Sequence, residues 1–197
     1  MTTAEQRTGE GRQRRRRVDA ERNVHALLES AKAVFARSGV DAPAREITDA
    51  AGLGVGTLYR HFPRRADLIL GVLQHEIDAC ADAALAMRSD EAPYAALRAW
   101  VEQYVELVAT KRGLAGALHS ADPAFEGLHD RVTERLEPAA AALLADAHAA
   151  GEITGDVSAR ELLYAVGLLC QPVPAADFGL AENRRMVEVF VGGLRSG

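Results

Sequence analysis

The sequence predicts an all-α protein with a small N-terminal unit of three helices and a larger C-terminal helical unit. Apolar residues recur every three or four positions in most segments, which is the spacing of amphipathic helices. Runs of alternating β-branched residues, which are typical of half-buried strands, do not occur. Alanine is abundant, and most glycines and prolines fall between the periodic segments. Helices are therefore the expected structure for most of the chain.

The three N-terminal helices are separated by residues that end helices. Gly39 and Gly52 suit the left-handed conformation that follows a helix C-terminus, and Pro63 disfavours helix in the residue before it. The first seventeen residues lack spaced apolar positions, so we expect a disordered basic arm over residues 1–17. In the domain that follows, over residues 18–64, helices are predicted at 18–38, 44–51 and 55–61.

The second domain is expected over residues 65–197 and consists of longer amphipathic helices. Pro93 suits the first turn of one of them. Pro138 should kink or break the segment that begins at Pro123, because its ring clashes with the preceding helical turn. Helices are predicted over residues 65–87, 93–110, 113–119, 139–150, 158–170 and 180–194.

The formal net charge of −5 is distributed unevenly along the 197 residues. Residues 1–75 contain 13 Lys or Arg against 9 Asp or Glu, whereas residues 76–197 contain 10 against 19. A basic N-terminal part followed by an acidic C-terminal part favours an anionic partner for the N-terminal part alone. A solvated tail that aids solubility is the alternative interpretation of the strongest basic run. That run ends in Arg14, Arg15, Arg16 and Arg17.

The composition excludes several classes of protein. With 48% hydrophobic and 26% charged residues, the chain is typical of a globular domain. It has no apolar run long enough to cross a membrane, and its N-terminus lacks the apolar segment of a secretory signal. Its two cysteines, Cys80 and Cys170, occupy apolar helical positions, and we interpret both as core residues. So few cysteines indicate a cytoplasmic protein.

An enzyme is the main alternative class, since several histidines could support acid–base or metal chemistry. No metal-ligand motif, nucleophile elbow or phosphate-binding loop accompanies them in the sequence. We therefore predict no catalytic residues, no cofactor and no metal site. The histidines that raise the question are His75, His119, His129 and His148.

The segment from Arg45 to Phe62 has the layout of a helix-turn-helix: a short helix, a glycine-bearing turn and a second short helix. A helix that reads DNA must be exposed on one side and able to approach the backbone closely. Gly56 and Thr57 leave room for that approach. Polar tips are contributed by Tyr59, Arg60 and His61, and the predicted core residues are Leu53, Leu58 and Phe62.

Residues from about 22 to 74 resemble the N-terminal DNA-binding domain of the TetR family of transcriptional regulators. Several motif elements match in order, so the resemblance is specific, although it covers only about a quarter of the chain. The later helices fit the family only in number and length. The matching elements are VFARSG at 34–39, Glu46-Ile47, Ala51-Gly52, GTLYRHF at 56–62, Arg65 and Asp67-Leu68.

The resemblance implies that the third helix enters the major groove of DNA. Base-reading positions would then be Arg45, Gly56, Thr57 and Arg60, and phosphate-holding positions would be Thr57, Tyr59, His61 and Arg65. The arginines of the basic arm could lie in the flanking minor groove. Packing on the first helix is the alternative role for Tyr59.

The sequence departs from the usual family pattern at three positions. Pro43 replaces a hydroxyl residue three positions before Glu46, so the capping box of the second helix is lost. Capping by Asp41 and a helix start shifted by one residue are the open alternatives. Thr48 stands where alanine is usual, and Arg65 stands where lysine is usual but keeps the positive charge for a phosphate contact.

The last two predicted helices carry more apolar residues than a solvated face tolerates. The resemblance implies that these helices from two chains form a four-helix bundle in a homodimer. Closure of the monomer core is the alternative. The predicted interface residues are Leu162, Leu163, Val166, Leu169, Val187, Phe190, Val191 and Leu194.

The resemblance also implies a small-molecule pocket in the C-terminal domain, whose occupation tilts the fourth helix and moves the two DNA-reading heads out of register. The acidic body favours a neutral or cationic ligand over an anionic one. Ordinary core packing is the alternative for each candidate lining residue. The candidates are Met87, Trp100, Tyr104, Leu118, His119, Phe125, Val132 and Leu143.

We therefore predict a homodimeric transcriptional regulator that binds a palindromic operator and is released by a small-molecule effector. A repressor of nearby genes is the main expectation, and an activator stays open. A DNA-binding module that has no ligand, or that responds to a protein partner, is the remaining alternative. The predicted partners are double-stranded operator DNA, a small-molecule effector and a second copy of the chain, with no membrane.

Overall fold

The computed structural model describes residues 3–118, 122–171 and 179–195, without the side chains of residues 3–17, 115, 116 and 129. Helices account for nearly all of these ranges, which confirms the all-α prediction. None of the helices in the described ranges is long and apolar enough to cross a bilayer. The helices are α1 (Thr3–Ser38), α2 (Ala44–Ala51), α3 (Val55–His61), α4 (Arg65–Asp90), α5 (Pro93–Gly113), α6 (Ala115–Leu118), a 3-10 turn (Pro123–Phe125), α7 (Leu128–Ala149), α8 (Ala159–Leu169) and α9 (Leu180–Gly192).

Two predictions about helix boundaries were wrong. The basic arm was expected to be disordered, but α1 is helical from Thr3 onward. No proline occurs before residue 43, and the glutamines, glutamates and arginines of the arm are good helix formers. The segment was also expected to kink or break at Pro138, and the break is contradicted, because α7 continues through Pro138. Pro138 is exposed, so water can satisfy the carbonyl that loses its helical partner.

The chain divides into two compact units between Val72 and Leu73. We expected the boundary at residue 64, where Pro63 separates α3 from α4. The division instead falls inside α4, whose start contacts the first unit: Arg65 lies over Phe35 of α1, and Gly71 lies beside Phe62. The helix α4 thus contributes residues to both units.

The first unit is built on the apolar face of α1. Leu27, Ala31 and Val34 are completely buried on this face, and α1 packs against α2. Ile47 of α2 and Leu58 of α3 complete the small core. The two short helices are therefore held by a few buried side chains, and their remaining faces are free to be polar.

A close contact inside the first unit requires glycine at position 71. An ideal Cβ on Gly71 would lie 2.8 Å from the Phe62 ring carbon Cε1 and 3.2 Å from Leu28 Cδ2. Both distances are shorter than ordinary van der Waals contacts between carbon atoms. Gly71 in the second turn of α4 therefore lets Phe62, the residue that follows α3, pack directly on the α4 backbone.

The second unit is organised around α5, which packs against α7, α8 and α9. Trp100 of α5 is completely buried and donates its indole N–H to the Cys80 carbonyl at 2.8 Å. The Trp100 ring stacks on Tyr104, with 5.9 Å between the ring centroids. Cys80 and Cys170 are both buried, as predicted for core residues, and burial raises the pKa of the Cys80 thiol to about 12.

A polar junction joins three helices of the second unit. Asn183 of α9 is buried and donates its side-chain amide to the Leu169 carbonyl at 2.6 Å. Arg112 of α5 donates through Nη1 to the Cys170 carbonyl at 2.8 Å and to Asn183 Oδ1 at 3.1 Å. The carbonyls at the end of α8, which have no partner within that helix, are satisfied in this way.

We predict that Gly71→Ala destabilises the protein even though alanine is the better helix former. Overpacking against Phe62 should outweigh the propensity gain of about 1 kcal/mol and lower the thermal unfolding midpoint measured by circular dichroism. Gly192→Ala is the matched control, because a Cβ at Gly192 meets no atom within 4 Å. The double variant Gly71→Ala, Phe62→Leu should recover stability; an unchanged midpoint for Gly71→Ala alone contradicts the packing argument.

Candidate functional site

The turn between α2 and α3 has the geometry of a helix-turn-helix. Gly52 adopts the left-handed conformation at φ 65°, and the Leu53 amide donates to the Thr48 carbonyl at 2.9 Å. The helix α3 begins after Gly54, whose carbonyl accepts from the Thr57 amide at 2.8 Å. These backbone bonds close α2 and open α3 within three residues, which confirms the predicted helix boundaries.

The second helix begins without a side-chain cap, as expected from the loss of the capping box at Pro43. Its Glu46 carboxylate instead accepts hydrogen bonds from Arg37 at 2.7 Å and from the Ser38 hydroxyl at 2.8 Å. These two bonds lower the pKa of Glu46. Asp41 therefore does not cap α2. The first turn of α2 is instead hydrogen-bonded, through Glu46, to the end of α1.

The exposed polar face of α3 is the main feature of this unit. Tyr59 is 53% exposed, so solvent rather than α1 surrounds most of its ring, against the alternative that it packs on the first helix. Arg60 is exposed on the same helix, and Arg45 is exposed on α2. Thr57 and His61 are half-buried. The predicted DNA-facing side chains of these two helices thus reach the surface to different extents.

Gly56 has no packing role in the first unit. A Cβ built on it would meet no atom within 4 Å, although glycine costs a helix about 1 kcal/mol relative to alanine. The free space beside α3 at this position is what a closely approaching partner needs.

The predicted core residues of this segment are buried unequally. Leu58 is only 3% exposed and anchors α3. Leu53 and Phe62 are half-buried, and Phe62 packs on Gly71 as described above.

Arg65, for which a phosphate contact was predicted, forms its contacts in the structure within the first unit. Its Nε donates to the Val40 carbonyl at 2.6 Å, and Nη2 donates to the Val40 and Ala42 carbonyls. The guanidinium also lies over the Phe35 ring, 4.8 Å from its centroid. Burial lowers the pKa of Arg65. The fork geometry of arginine suits two adjacent carbonyls, so this side chain braces the loop between α1 and α2.

Some predicted residues lie outside the description. The side chains of Arg14, Arg15, Arg16 and Arg17 are not described, although their backbone belongs to α1. His119 falls in the gap between the described ranges. The roles predicted for these five residues therefore stay predictions.

The second unit contains a cavity of about 450 Å³. Of the predicted lining residues, four line it: Tyr104, Leu118, Phe125 and Val132. Leu73 and Ile77 of α4, which the sequence analysis missed, line it as well. They belong to an apolar stripe that looked like ordinary core, and nothing in the sequence separates the two roles.

Three other predicted lining residues do not line this cavity. Trp100 and Leu143 are completely buried and belong to the core, which was the stated alternative. Met87 is half-buried near the end of α4, away from the lining residues of that helix. The apolar pattern alone could not distinguish a cavity wall from a filled core.

Most of the residues predicted for the dimer interface are buried within the single chain and so cannot form its surface. Leu162, Val166, Val187, Val191 and Leu194 are at most 6% exposed within the single chain, so they close its own core. Leu163, Leu169 and Phe190 are half-buried. The large apolar side chains that α8 and α9 do expose are Tyr164 at 68%, Leu168 at 54% and Val189 at 73%.

Comparison with known families agrees with this architecture. Residues 27–72 match the family model for bacterial regulatory proteins of the tetR family. Residues 92–196 match the model for the C-terminal domain of SbtR-like transcriptional regulators, which is more than half of the chain. The chain belongs to the TetR family.

Solved structures support the same assignment over most of the chain. A TetR transcriptional regulator from Streptomyces coelicolor is 29% identical, with a TM-score of 0.70 over 87% of this chain and 98% of that one. A TetR regulatory protein from Mycobacterium vanbaalenii is 31% identical, with a TM-score of 0.69 over 91% and 99%. This TetR-family chain is therefore a DNA-binding transcriptional regulator, which confirms the prediction of a regulator rather than an enzyme.

Curated relatives match the chain over a short stretch. A transcriptional regulator of the helix-turn-helix type from Staphylococcus aureus (strain USA300) is 38% identical over 63 residues. That match covers 32% of this chain and spans about a third, 34%, of the relative's length. The similarity to this relative is therefore local and covers about a third of each chain.

We predict that Arg65→Lys weakens the first unit, because an ammonium cannot serve both carbonyls and lie over Phe35. A loss of about 1–2 kcal/mol is expected for charged hydrogen bonds in a half-buried setting. It should appear as faster amide hydrogen exchange in α2 and a lower thermal midpoint. Arg64→Lys is the control, since Arg64 forms an exposed ion pair with Asp67. If Arg65→Lys loses DNA affinity with unchanged α2 exchange, the bracing role is incorrect.

Proposed function

We propose that α3, together with the start of α2, reads operator DNA. The observation that carries the proposal is the exposed polar face of α3 in a helix-turn-helix of a known DNA-binding family. A short helix with one polar face can lie in the major groove while its other face stays packed. Gly56 would let the α3 backbone approach the DNA closely.

Individual roles in this surface follow from side-chain chemistry. Arg45 and Arg60 would read base edges, because a guanidinium can donate two parallel hydrogen bonds to guanine. Tyr59, Thr57 and His61 would hold phosphates and fix the position of α3 along the groove. Within the described part of the chain, Arg45 and Arg60 form no ion pair, so contact with DNA would break no salt bridge. The arginines of the arm would add to the electrostatic attraction.

We propose that the protein acts as a homodimer. One helix-turn-helix contacts a single half-site, and specific operators usually require two. The exposed Tyr164 and Leu168 lie four residues apart on α8, so they share one helix face. Val189 on α9 is equally exposed, and α8 and α9 pack against each other. The proposed interface therefore keeps the half-buried Leu163, Leu169 and Phe190 of the sequence prediction and adds these three exposed residues.

A dimer with two-fold symmetry would recognise a palindromic operator, since each α3 reads one half-site. The half-site centres would lie one helical turn apart or a multiple of it, with one turn about 34–36 Å. We propose that such binding represses nearby genes by blocking promoter access in the cytoplasm. An activator would bind DNA through the same surface, and transcription assays distinguish the two roles.

We propose that a small molecule in the cavity releases the DNA. The helix α4 supports this mechanism because Leu73 and Ile77 line the cavity, while Gly71 of the same helix packs against Phe62 at the end of α3. A ligand that binds one position of α4 better than another would shift the population of DNA-binding states. A cavity of this size favours a small-molecule effector over a protein partner as the signal.

The decisive experiment is binding of the full-length protein to DNA upstream of its own gene, titrated with salt. A saturable complex that survives competitor DNA supports sequence-specific regulation. Binding that competitor DNA abolishes would refute specificity for that site. The absence of binding at low salt would contradict the DNA-reading role of α3.

We predict that Arg60→Gln weakens operator binding by about 1–3 kcal/mol and relaxes the preference for guanine at one base position, because Arg60 is proposed to read a base edge. The thermal midpoint should stay unchanged, because Arg60 is exposed. Arg131→Gln is the control: Arg131 is an exposed arginine on α7 in the other unit. Equal losses of affinity in the two variants would show that net charge, and not the α3 surface, controls binding.

We predict that Tyr164→Glu and Val189→Glu shift the dimer toward monomer, because a carboxylate would have to be desolvated at the interface. Analytical ultracentrifugation should show at least a tenfold rise in the dimer dissociation constant. Leu85→Glu on α4 provides the matched control, since Leu85 is also an exposed apolar side chain, at 66%. Dissociation by Leu85→Glu alone would place the interface elsewhere.

A further inference from the structure

The charges that line the cavity of the second unit are all of one sign. Its walls are largely apolar, formed by side chains such as Leu73, Ile77 and Val132. Two of its lining side chains carry a formal charge. They are Lys111 and Arg112 at the end of α5, and both are cationic. No carboxylate belongs to the described lining. An apolar cavity with paired cations is complementary to a molecule that has an apolar body and an anionic head.

Lys111 lies at the junction between the cavity and a surface groove. The groove has a volume of about 890 Å³ and shares Tyr104, Lys111, Val132, Gly167 and Gln171 with the cavity. Lys111 itself is exposed. An ammonium in this position can meet the head of a ligand whose body is already inside, without the cost of burying an unpaired charge.

The groove differs in charge from the cavity it adjoins. Its lining includes four carboxylates, which are Asp130, Glu134, Glu137 and Glu161. Glu137 pairs with Arg160 at 3.2 Å, and Glu161 caps α8 by bonding to Ser158. These acidic residues would repel an anion from the groove, and Arg160, the other cation of its lining, is paired with Glu137. The cations placed to meet an anion are therefore Lys111 and Arg112.

Arg112 is held in place beside the cavity. Its two hydrogen bonds to the Cys170 carbonyl and to Asn183 fix the guanidinium at the end of α8. A fixed cation loses little conformational entropy when it pairs with a ligand carboxylate. Lys111 and Arg112 both line this cavity at the end of α5, so one anionic head placed there can meet both.

We propose that the cavity binds an amphipathic monocarboxylate, with the hydrocarbon body among the apolar walls and the carboxylate at Lys111 and Arg112. This proposal rests on the effector site put forward above and names its ligand class. It reverses the preference for a neutral or cationic ligand, which came from the net charge of the whole body. The charges that line the cavity determine which ligand charge is preferred, because salt screens charges that lie more than about 8–10 Å away.

The test uses straight-chain carboxylates from octanoate to dodecanoate, each below its micelle concentration, and full-length protein without DNA. The sequence contains a single tryptophan, Trp100, which stacks on the cavity residue Tyr104. Tryptophan fluorescence therefore reports binding, and calorimetry measures it independently. The affinity should rise about fourfold per added methylene, as expected for burial of each group in an apolar site.

The head group is tested with methyl decanoate and with the variant Lys111→Gln. We expect each to weaken binding at least tenfold relative to decanoate and the unchanged protein. Arg131→Gln is the control for loss of an exposed cation, because Arg131 does not line the cavity, and it should bind decanoate normally. Equal affinity for ester and acid, normal binding by Lys111→Gln, or no binding of any acid would each overturn the proposal.

Two further outcomes separate this proposal from the proposed function. Binding of decanoate that leaves the protein–operator complex intact supports the ligand class and refutes release by such a ligand. Operator binding together with no response to any carboxylate overturns the ligand class and leaves the DNA-binding role standing.

Discussion

The first unit depends on one guanidinium. Arg65, the first residue of α4, donates to the carbonyls of Val40 and Ala42 and lies over Phe35. The loop between α1 and α2 is thereby held from a third element, and the Glu46 bonds to Arg37 and Ser38 hold the first turn of α2. With few buried side chains in α2 and α3, these polar contacts hold α2, the helix against which α3 packs.

The second unit is also held together by polar contacts, and these include a buried side chain. Buried Asn183 and half-buried Arg112 join α5, α8 and α9 at the point where α8 ends. Buried polar groups of this kind are costly unless they are fully paired, so they allow few alternative packings. The same junction places a cation beside the cavity, so Arg112 serves both the packing of the unit and the ligand selectivity proposed for the cavity.

Helical periodicity, together with the positions of glycine and proline, was sufficient to predict the fold class, the helix-turn-helix and most helix boundaries. It could not predict the role of Arg65, because a positively charged residue in a DNA-binding motif looks the same whether it meets phosphate or backbone carbonyls. The apolar residues of α8 and α9 posed the same difficulty. Leu162 and Val187 proved to be core, and the exposed Tyr164 and Val189 differ from them only in which side of the helix they occupy.

The helical character of the N-terminal arm changes how far it can reach. Residues 3–17 belong to α1, and a helix advances about 1.5 Å per residue, whereas an extended chain advances about 3.3 Å. Fifteen residues thus span about 22 Å rather than about 50 Å. A helix about 10–12 Å wide does not fit a minor groove about 6 Å wide. Insertion of the arginines there would require the arm to unwind, so the tightness of that contact would depend on the helix stability of the arm.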